Sequence, residues 1–215
     1  KQRGIKVFSF DSGIAREGRL MHVNAPHDDL IGANDVRMIA KTLNNEGEVA
    51  ILSATSQATN QNLWIDYMKE EWKKPEYAKM PLVSVVYGDD AVDKSYREAQ
   101  GLMKAYPNLR GIISPTAVGI VAAARAVQDA GKTGQIFVTG HGLPSEMKPY
   151  VEAGVTYTFQ LWSPFDLGYA AVAFAGKITR GEISSDPGTK AEIGSLGEMT
   201  IEDDGNAYLN ELLVF

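Results

Sequence analysis

The sequence predicts an α/β protein with mostly parallel sheets flanked by helices, and three observations predict it. Short runs that are almost wholly apolar, such as Val49–Leu52 and Leu82–Tyr87, alternate at least five times with segments whose apolar residues recur at helical spacing. Gly, Pro and Asp-rich breakers bound the runs. The runs show little apolar–polar alternation, as expected of strands covered by helices on both faces.

The elements follow in order. Lys1, Arg3 and Gly4 read as the last basic turn and C-cap of a helix. Ile5–Phe10 reads as a buried strand ending in the turn Asp11-Ser12-Gly13. His27–Asn44 is a helix, because Val36, Ile39, Ala40 and Leu43 share one face. Val49–Leu52 is a strand that passes through the small polar loop Ser53–Thr59 into an amphipathic helix carrying Trp64, Ile65 and Met68, half of a βαβ unit. Pro75–Met80 connects to a strand at Leu82–Tyr87, and Gly88-Asp89-Asp90 breaks it. Asp93–Tyr106 is a helix ended by Pro107, and Gly111–Ser114 is a short strand. Pro115-Thr116 opens an Ala-rich helix to Ala130. Ile136–Thr139 is the next strand, with Gly140-His141-Gly142 as its edge turn, and Pro144 starts a short helix through Val151. Val155–Leu161 is a strand ending at Trp162. Ser163, Pro164 and Asp166 then fit the N-cap, first and third positions of a helix running to about Arg180. The tail from Gly181 is loop-rich, with strands around Met199–Ile201 and Ala207–Val214. The opening basic turn and the apolar run Leu212–Phe215 lead us to expect a polypeptide longer at both ends, or a remainder that is disordered or carried on another chain.

Composition narrows the function. The 215 residues suffice for one large or two small domains, and 44% hydrophobic with 22% charged content is ordinary for a globular protein. A formal charge of -6 argues against nucleic acid as a partner, since phosphate binding needs clustered Lys and Arg. Without Cys there is no disulfide framework, thiolate metal site or cysteine nucleophile. No apolar run is long enough to span a membrane, and no signal peptide is recognisable.

Motifs for chemistry are missing where they would be expected. There is no GxGxxG after the first strand, no GxxxxGK[ST], no HExxH and no GxSxG. His22, His27 and His141 are scattered, so a metal site is not expected. Asp89-Asp90 and Asp203-Asp204 lie between breakers and read as solvated turns, while Asp28-Asp29 falls in a helix's first turn, where carboxylates favour the dipole. Asn60 and Gln61, taken alone, read equally well as first-turn capping residues. Their position suggests more. Asp11, Asn60 and Gln61, Pro115–Ala117, His141 and Trp162 each follow a different strand, and ligands in open α/β sheets sit outside the carboxyl ends of strands. An indole packs on the apolar face of a sugar ring, while amides and carboxylates take its hydroxyls. The set binds without an evident reaction, and no cofactor is expected.

The segments VFSFDSG (Val7–Gly13), ILSATSQATNQNLW (Ile51–Trp64), the long stretch Val85–Val127, FVTGHGLPSEMKPYVEAG (Phe137–Gly154) and FQLWSPFDLGY (Phe159–Tyr169) resemble the periplasmic sugar-binding proteins of ABC transporters, type I fold. Among these the chain is most similar to the rhamnose-binding and autoinducer-2-binding branch. The resemblance implies two lobes joined by three hinge strands and closing on a ligand. It implies an incomplete first lobe, residues 1–24 and 163–185, and a second lobe, residues 25–162 and 186–215, with a hinge-crossing tail. By matching position, Asp11 takes ligand hydroxyls, Asn60 and Gln61 form a second-lobe pair that is Asp-Gln in autoinducer-2 receptors, and Pro115 and Ala117 match backbone contacts, with Thr116 between them as a further ligand-binding candidate. His141 stands where ribose binders have an aspartate, and Trp162 where they have a glutamine. The neutral Asn60 fits the rhamnose-type branch better than the autoinducer-2 branch.

The resemblance therefore implies an extracytoplasmic, periplasmic receptor, a monomer without enzymatic activity. Its partners would be a monosaccharide, a rhamnose-like deoxyhexose or pentose, and an ABC transporter permease, with no nucleic acid and no membrane insertion. The rivals are an autoinducer-2 receptor, the effector domain of a sugar-responsive repressor, and a sugar-modifying enzyme of the same fold class.

Overall fold

The structure is a computed structural model that describes residues 4–215. The basic turn expected at Lys1 and Arg3 lies outside the described residues. In chain order the elements are β1 (Ser9–Phe10), β2 (His22–Asn24), α1 (Asp28–Leu43), β3 (Glu48–Ser53), α2 (Thr59–Trp72), β4 (Leu82–Tyr87), α3 (Val92–Ala105), β5 (Leu109–Ser114) and α4 (Ala117–Asp129). There follow β6 (Phe137–Gly140), α5 (Pro144–Glu152), β7 (Gln160–Leu161), α6 (Pro164–Arg180), β8 (Lys190–Glu192), β9 (Glu198–Thr200), β10 (Asn206–Tyr208) and β11 (Leu213–Val214). The expected α/β class stands.

The chain divides into two compact units. Unit 1 is Lys1–Asp28 with Trp162–Leu212, and unit 2 is Asp29–Leu161 with Leu213–Phe215. The chain therefore passes from one unit to the other after Asp28, Leu161 and Leu212. The tail departs from expectation here. Residues 186–212 group with unit 1, because β10 pairs in parallel with β2, Ala207 opposite Val23.

Unit 2 is a parallel sheet in the order β4-β3-β5-β6. Its strands alternate their burden between two faces, as a pleated strand must. Ala50, Leu52, Ile112 and Val138 face one cluster with Ala99, Leu102, Ile120 and Ala123 from α3 and α4. Gly111 faces α1 on the other side, where an added Cβ would meet Ile39 at 2.8 Å. Helix α2 lies along α1. A Cβ on Gly32 would come within 2.5 Å of the Trp64 carbonyl, so only glycine permits that approach. The expected strand Val155–Leu161 shortens to β7, which pairs antiparallel with β11. Before β7 the segment is held by single bonds, the Val138 N–H to the Val155 carbonyl and the Thr139 hydroxyl to the Thr158 carbonyl.

Unit 1 holds a three-stranded parallel sheet, β1-β2-β10, against which α6 packs, and an antiparallel pair, β8-β9. The cap expected for α6 forms. The Asp166 N–H donates to Ser163 Oγ at 3.2 Å, and Gly181 closes the helix in the left-handed region at φ 74°. Strand β1 is two residues, shorter than the expected Ile5–Phe10, and β2 and β8 were not expected.

Candidate ligand site

In unit 2 the loops after β3, β4, β5 and β6 share the carboxyl edge of one sheet. Strand β3 ends at Ser53, and the buried Gln61 side chain holds that end in place. Its Oε1 accepts from Ser53 Oγ at 2.7 Å and from the Ala54 N–H at 2.8 Å. A polar loop after a buried strand leaves backbone donors to satisfy, and an amide one turn into the next helix reaches them. Asn60, half-buried, accepts the Gln61 N–H on its own Oδ1 at 2.9 Å. Asn60 thus closes on a first-turn N–H of α2, whereas Gln61 reaches back to the end of β3 rather than capping the helix. Each keeps its amino group, Asn60 Nδ2 and Gln61 Nε2, without a partner among the described residues.

After β5, Pro115 and Thr116 are buried and Ala117 begins α4. Thr116 sits at the N-cap in extended conformation, but its hydroxyl makes no capping bond and donates instead to Asp90 Oδ1. After β6 the chain passes close to β5. Gly140, at φ 134°, would place a Cβ 2.0 Å from the Ser114 carbonyl, so both the conformation and the contact require glycine.

His141 follows, and its ring lies inside unit 2. Nε2 is 3.1 Å from Asp35 Oδ2 and 3.0 Å from Gln160 Nε2, and the ring tilts against Trp64 with centroids 5.0 Å apart. Gln160 also donates to Asp35 Oδ1 at 2.8 Å and to the Ile31 carbonyl at 3.1 Å, and accepts from Asn34 Nδ2 at 2.7 Å. Asp35 is fully buried, and these neighbours satisfy its carboxyl oxygens. Asp35 and Gln160 were missed from the sequence. Their only signal was a polar residue on an apolar helix face and an amide inside an apolar run.

Asp11 and Trp162 belong to unit 1. Asp11 follows β1 in the left-handed region, at φ 61°, with its N–H donating to the Val23 carbonyl at 3.1 Å. Burial raises its carboxyl above the ordinary 3.8. Its carboxylate has no hydrogen-bond partner among the described residues. A half-buried carboxylate without a hydrogen-bond partner among the described residues, on a left-handed backbone, is a candidate binding position. Trp162 is 7% exposed and directly precedes the cap of α6. Among the described residues no group of His, Cys, Asp and Glu could hold a metal ion, and no helix is long and apolar enough to cross a membrane.

The carboxyl edge of the unit 2 sheet thus gathers amides, a hydroxyl and carboxylates. Over residues 1–183 the chain matches the family described as a periplasmic binding protein domain, and it belongs to that family. The family is one of binding proteins rather than enzymes, as the sequence led us to expect. A sugar ABC transporter structure from Actinomyces odontolyticus is 39% identical, with a TM-score of 0.83, the match covering 100% of this chain and 69% of that one. An ABC transporter solute binding protein from Clostridium phytofermentas, solved with bound L-rhamnose, is 34% identical with a TM-score of 0.94, covering 100% of this chain and 70% of that one. The D-allose-binding periplasmic protein of Escherichia coli is 30% identical over 140 residues, 64% of this chain and 44% of that protein. The chain spans less than half the length of the curated relatives it matches.

Proposed function

We propose that this chain belongs to an extracytoplasmic receptor that binds a monosaccharide and delivers it to the permease of an ABC transporter. The observation that carries the proposal is the likeness, over the whole chain, to the Clostridium phytofermentas protein solved with L-rhamnose. A rhamnose-like deoxyhexose or a pentose is the ligand class. The neutral Asn60 supports that choice over autoinducer-2, since an amide both donates to and accepts from sugar hydroxyls. The receptor works as a monomer in the periplasm, without nucleic acid or membrane insertion.

The residues divide by role. Asp11 and Trp162 from unit 1 supply a carboxylate and an indole. Asn60, Pro115, Thr116 and Ala117 from unit 2 supply an amide and the chain around a helix start. Gln61 offers the sugar only its Nε2, because its oxygen is engaged with Ser53 and Ala54. His141 shapes the edge from inside unit 2, through Asp35 and Gln160. Ligand that binds one conformation of such a receptor better than another shifts the population toward it, and that shift is what the permease reads.

Calorimetry of the intact polypeptide against L-rhamnose, D-ribose, D-allose and autoinducer-2 tests the proposal. At least one sugar binds, and Asn60→Ala and Trp162→Ala each weaken it about tenfold or more. The absence of heat with every sugar, or sugar turnover in place of binding, defeats it.

A further inference from the structure

We infer that Asp90 is the carboxylate of unit 2 that reads the hydroxyls of the sugar, and that Thr116 positions it. This rests on the proposed function and adds a residue to it. As a sequence, Gly88-Asp89-Asp90 is a solvated turn after β4. The structure gives the two aspartates different work. Asp89 pairs with Lys94 Nζ at 2.5 Å and its N–H donates to the Ala54 carbonyl at 2.7 Å, while the Gly88 N–H donates to the Ser53 carbonyl at 2.8 Å. These bonds stitch the turn to the end of β3, next to the Ala54 N–H that Gln61 holds. Asp90 instead accepts from the Thr116 hydroxyl.

The strand order gives that bond its meaning. Strand β3 lies between β4 and β5. A bond from the residue after β4 to the residue at the start of α4, after β5, therefore passes over the carboxyl end of β3. In this order the chain steps to opposite sides after β3, and the gap between β3 and β5 is the switch point where ligands of such sheets are held. Asp90 is thus carried to the middle of the edge, beside the loop of Asn60 and Gln61.

Two further features agree. Thr116 occupies an N-cap, where its hydroxyl would ordinarily accept a helix N–H, yet the bond it makes is to Asp90. Asp90 is also held at φ 49° directly after Asp89 at φ 54°, a pair of left-handed residues that glycine or asparagine would tolerate more easily. With one oxygen fixed by Thr116, the other has no partner among the described residues, and Asp90 is an exposed residue. A carboxylate so held accepts from neighbouring hydroxyls of a sugar ring, the acceptor that the neutral Asn60 cannot fully supply.

The test compares the intact wild type with Asp90→Asn, Thr116→Val and Thr116→Ser by calorimetry against L-rhamnose, D-allose, D-ribose and 2-deoxy-D-ribose. Asparagine keeps the shape and the left-handed conformation, so Asp90→Asn removes the charge alone. It should weaken the bound sugar about 10- to 100-fold, the range for a hydrogen bond to a charged group. It should also narrow the gap between sugar and deoxy-sugar if the hydroxyl removed is one that Asp90 reads. Thr116→Val should weaken binding less, about threefold to tenfold, and Thr116→Ser should restore it, which a merely structural role of the threonine's methyl would not allow. Asp90→Asn that binds every sugar like wild type, with the wild type binding, overturns the assignment while leaving the proposed function standing. A wild type that binds no sugar overturns both.

Discussion

Replacing Gln61 by alanine should cost stability before it costs affinity, and the two effects can be separated. The side chain is 9% exposed, and its oxygen is the acceptor for Ser53 Oγ and the Ala54 N–H, both buried. Removing it strands two buried donors, each costing about 1–3 kcal/mol when unsatisfied. The serine hydroxyl can rotate to another acceptor, whereas the Ala54 N–H cannot, so the sum is about 2–4 kcal/mol. For a chain of this size each kcal/mol moves the melting temperature by about 2–4 °C, which gives a fall of about 4–16 °C. Gln61→Glu provides the contrast. A carboxylate keeps both acceptor bonds and adds an acidic residue to the first turn of α2, which has none, so stability should hold or rise by about 0.5 kcal/mol. It lacks the Nε2 donor, however, so the sugar should bind less tightly. Urea unfolding of both variants without ligand, beside calorimetry with L-rhamnose, reads the two roles independently. If Gln61→Ala unfolds like wild type, the clamp on the end of β3 is not what holds this edge, and the division of labour drawn for Gln61 is wrong.

Three other outcomes follow from the charges. Burial, with Arg19 nearby, lowers the His22 imidazole from 6.5 to about 4. The unfolded chain takes up a proton over that interval and the folded chain does not, so the stabilisation is complete above pH 6.5 and is lost as pH falls to about 4. After allowance for solvent screening it amounts to about 2 kcal/mol, and His22→Asn should flatten the slope in urea titrations taken across that range. The raised Asp11 carboxyl has the opposite sign: its protonated form is favoured by the fold, and that stabilisation is lost as pH rises through the folded value above 3.8. Hydroxyl donors from a sugar favour the ionised form, so affinity should fall on acidification through that value and Asp11→Asn should bind weakly at every pH, as calorimetry at a series of pH values would record. Glu71 is pushed up by burial, but hydrogen bonds from Lys74, Arg37 and Tyr77 outweigh that and hold it below 4.5. Glu71→Ala should therefore destabilise unit 2 by about 1–3 kcal/mol at neutral pH, and the wild type should lose the same stabilisation as pH falls through the lowered value, measured by urea unfolding.

Where local chemistry decides the structure, the sequence was legible. Strand Leu82–Tyr87 has the expected bounds, and the cap at Ser163 was readable because its partner Asp166 is three residues away. Legibility fails where the partner is distant. Strand β2 is only His-Val-Asn, with no apolar run to announce it. It is buried because Ser9 and Arg19 satisfy the polar groups around His22, with Ser9 Oγ 2.9 Å from His22 Nδ1 and 3.1 Å from the Arg19 guanidinium. Asp90 passed for a solvated turn because its partner, Thr116, is 26 residues on, across a strand and a helix. His141 follows β6, but its ring turns inward to Asp35, a partner 106 residues earlier. In each case the structure turns on a contact that no local pattern encodes.

The Asp35 network also shows what a buried polar residue does for the packing of unit 2. A fully buried carboxylate is costly unless its lone pairs are met, and here Gln160 and His141 meet them. Gln160 is at once the first residue of β7, the partner of Val214 in β11, and the residue next to Leu161, where the chain leaves unit 2. Its amide donates to the Ile31 carbonyl and to Asp35 while accepting from Asn34, so all three polar partners lie on α1. An apolar side chain at 160 would fill the space but would leave the buried Asp35 carboxyl short of a donor. The polar choice therefore fixes β7 to one register on α1, where a greasy contact would let it slide.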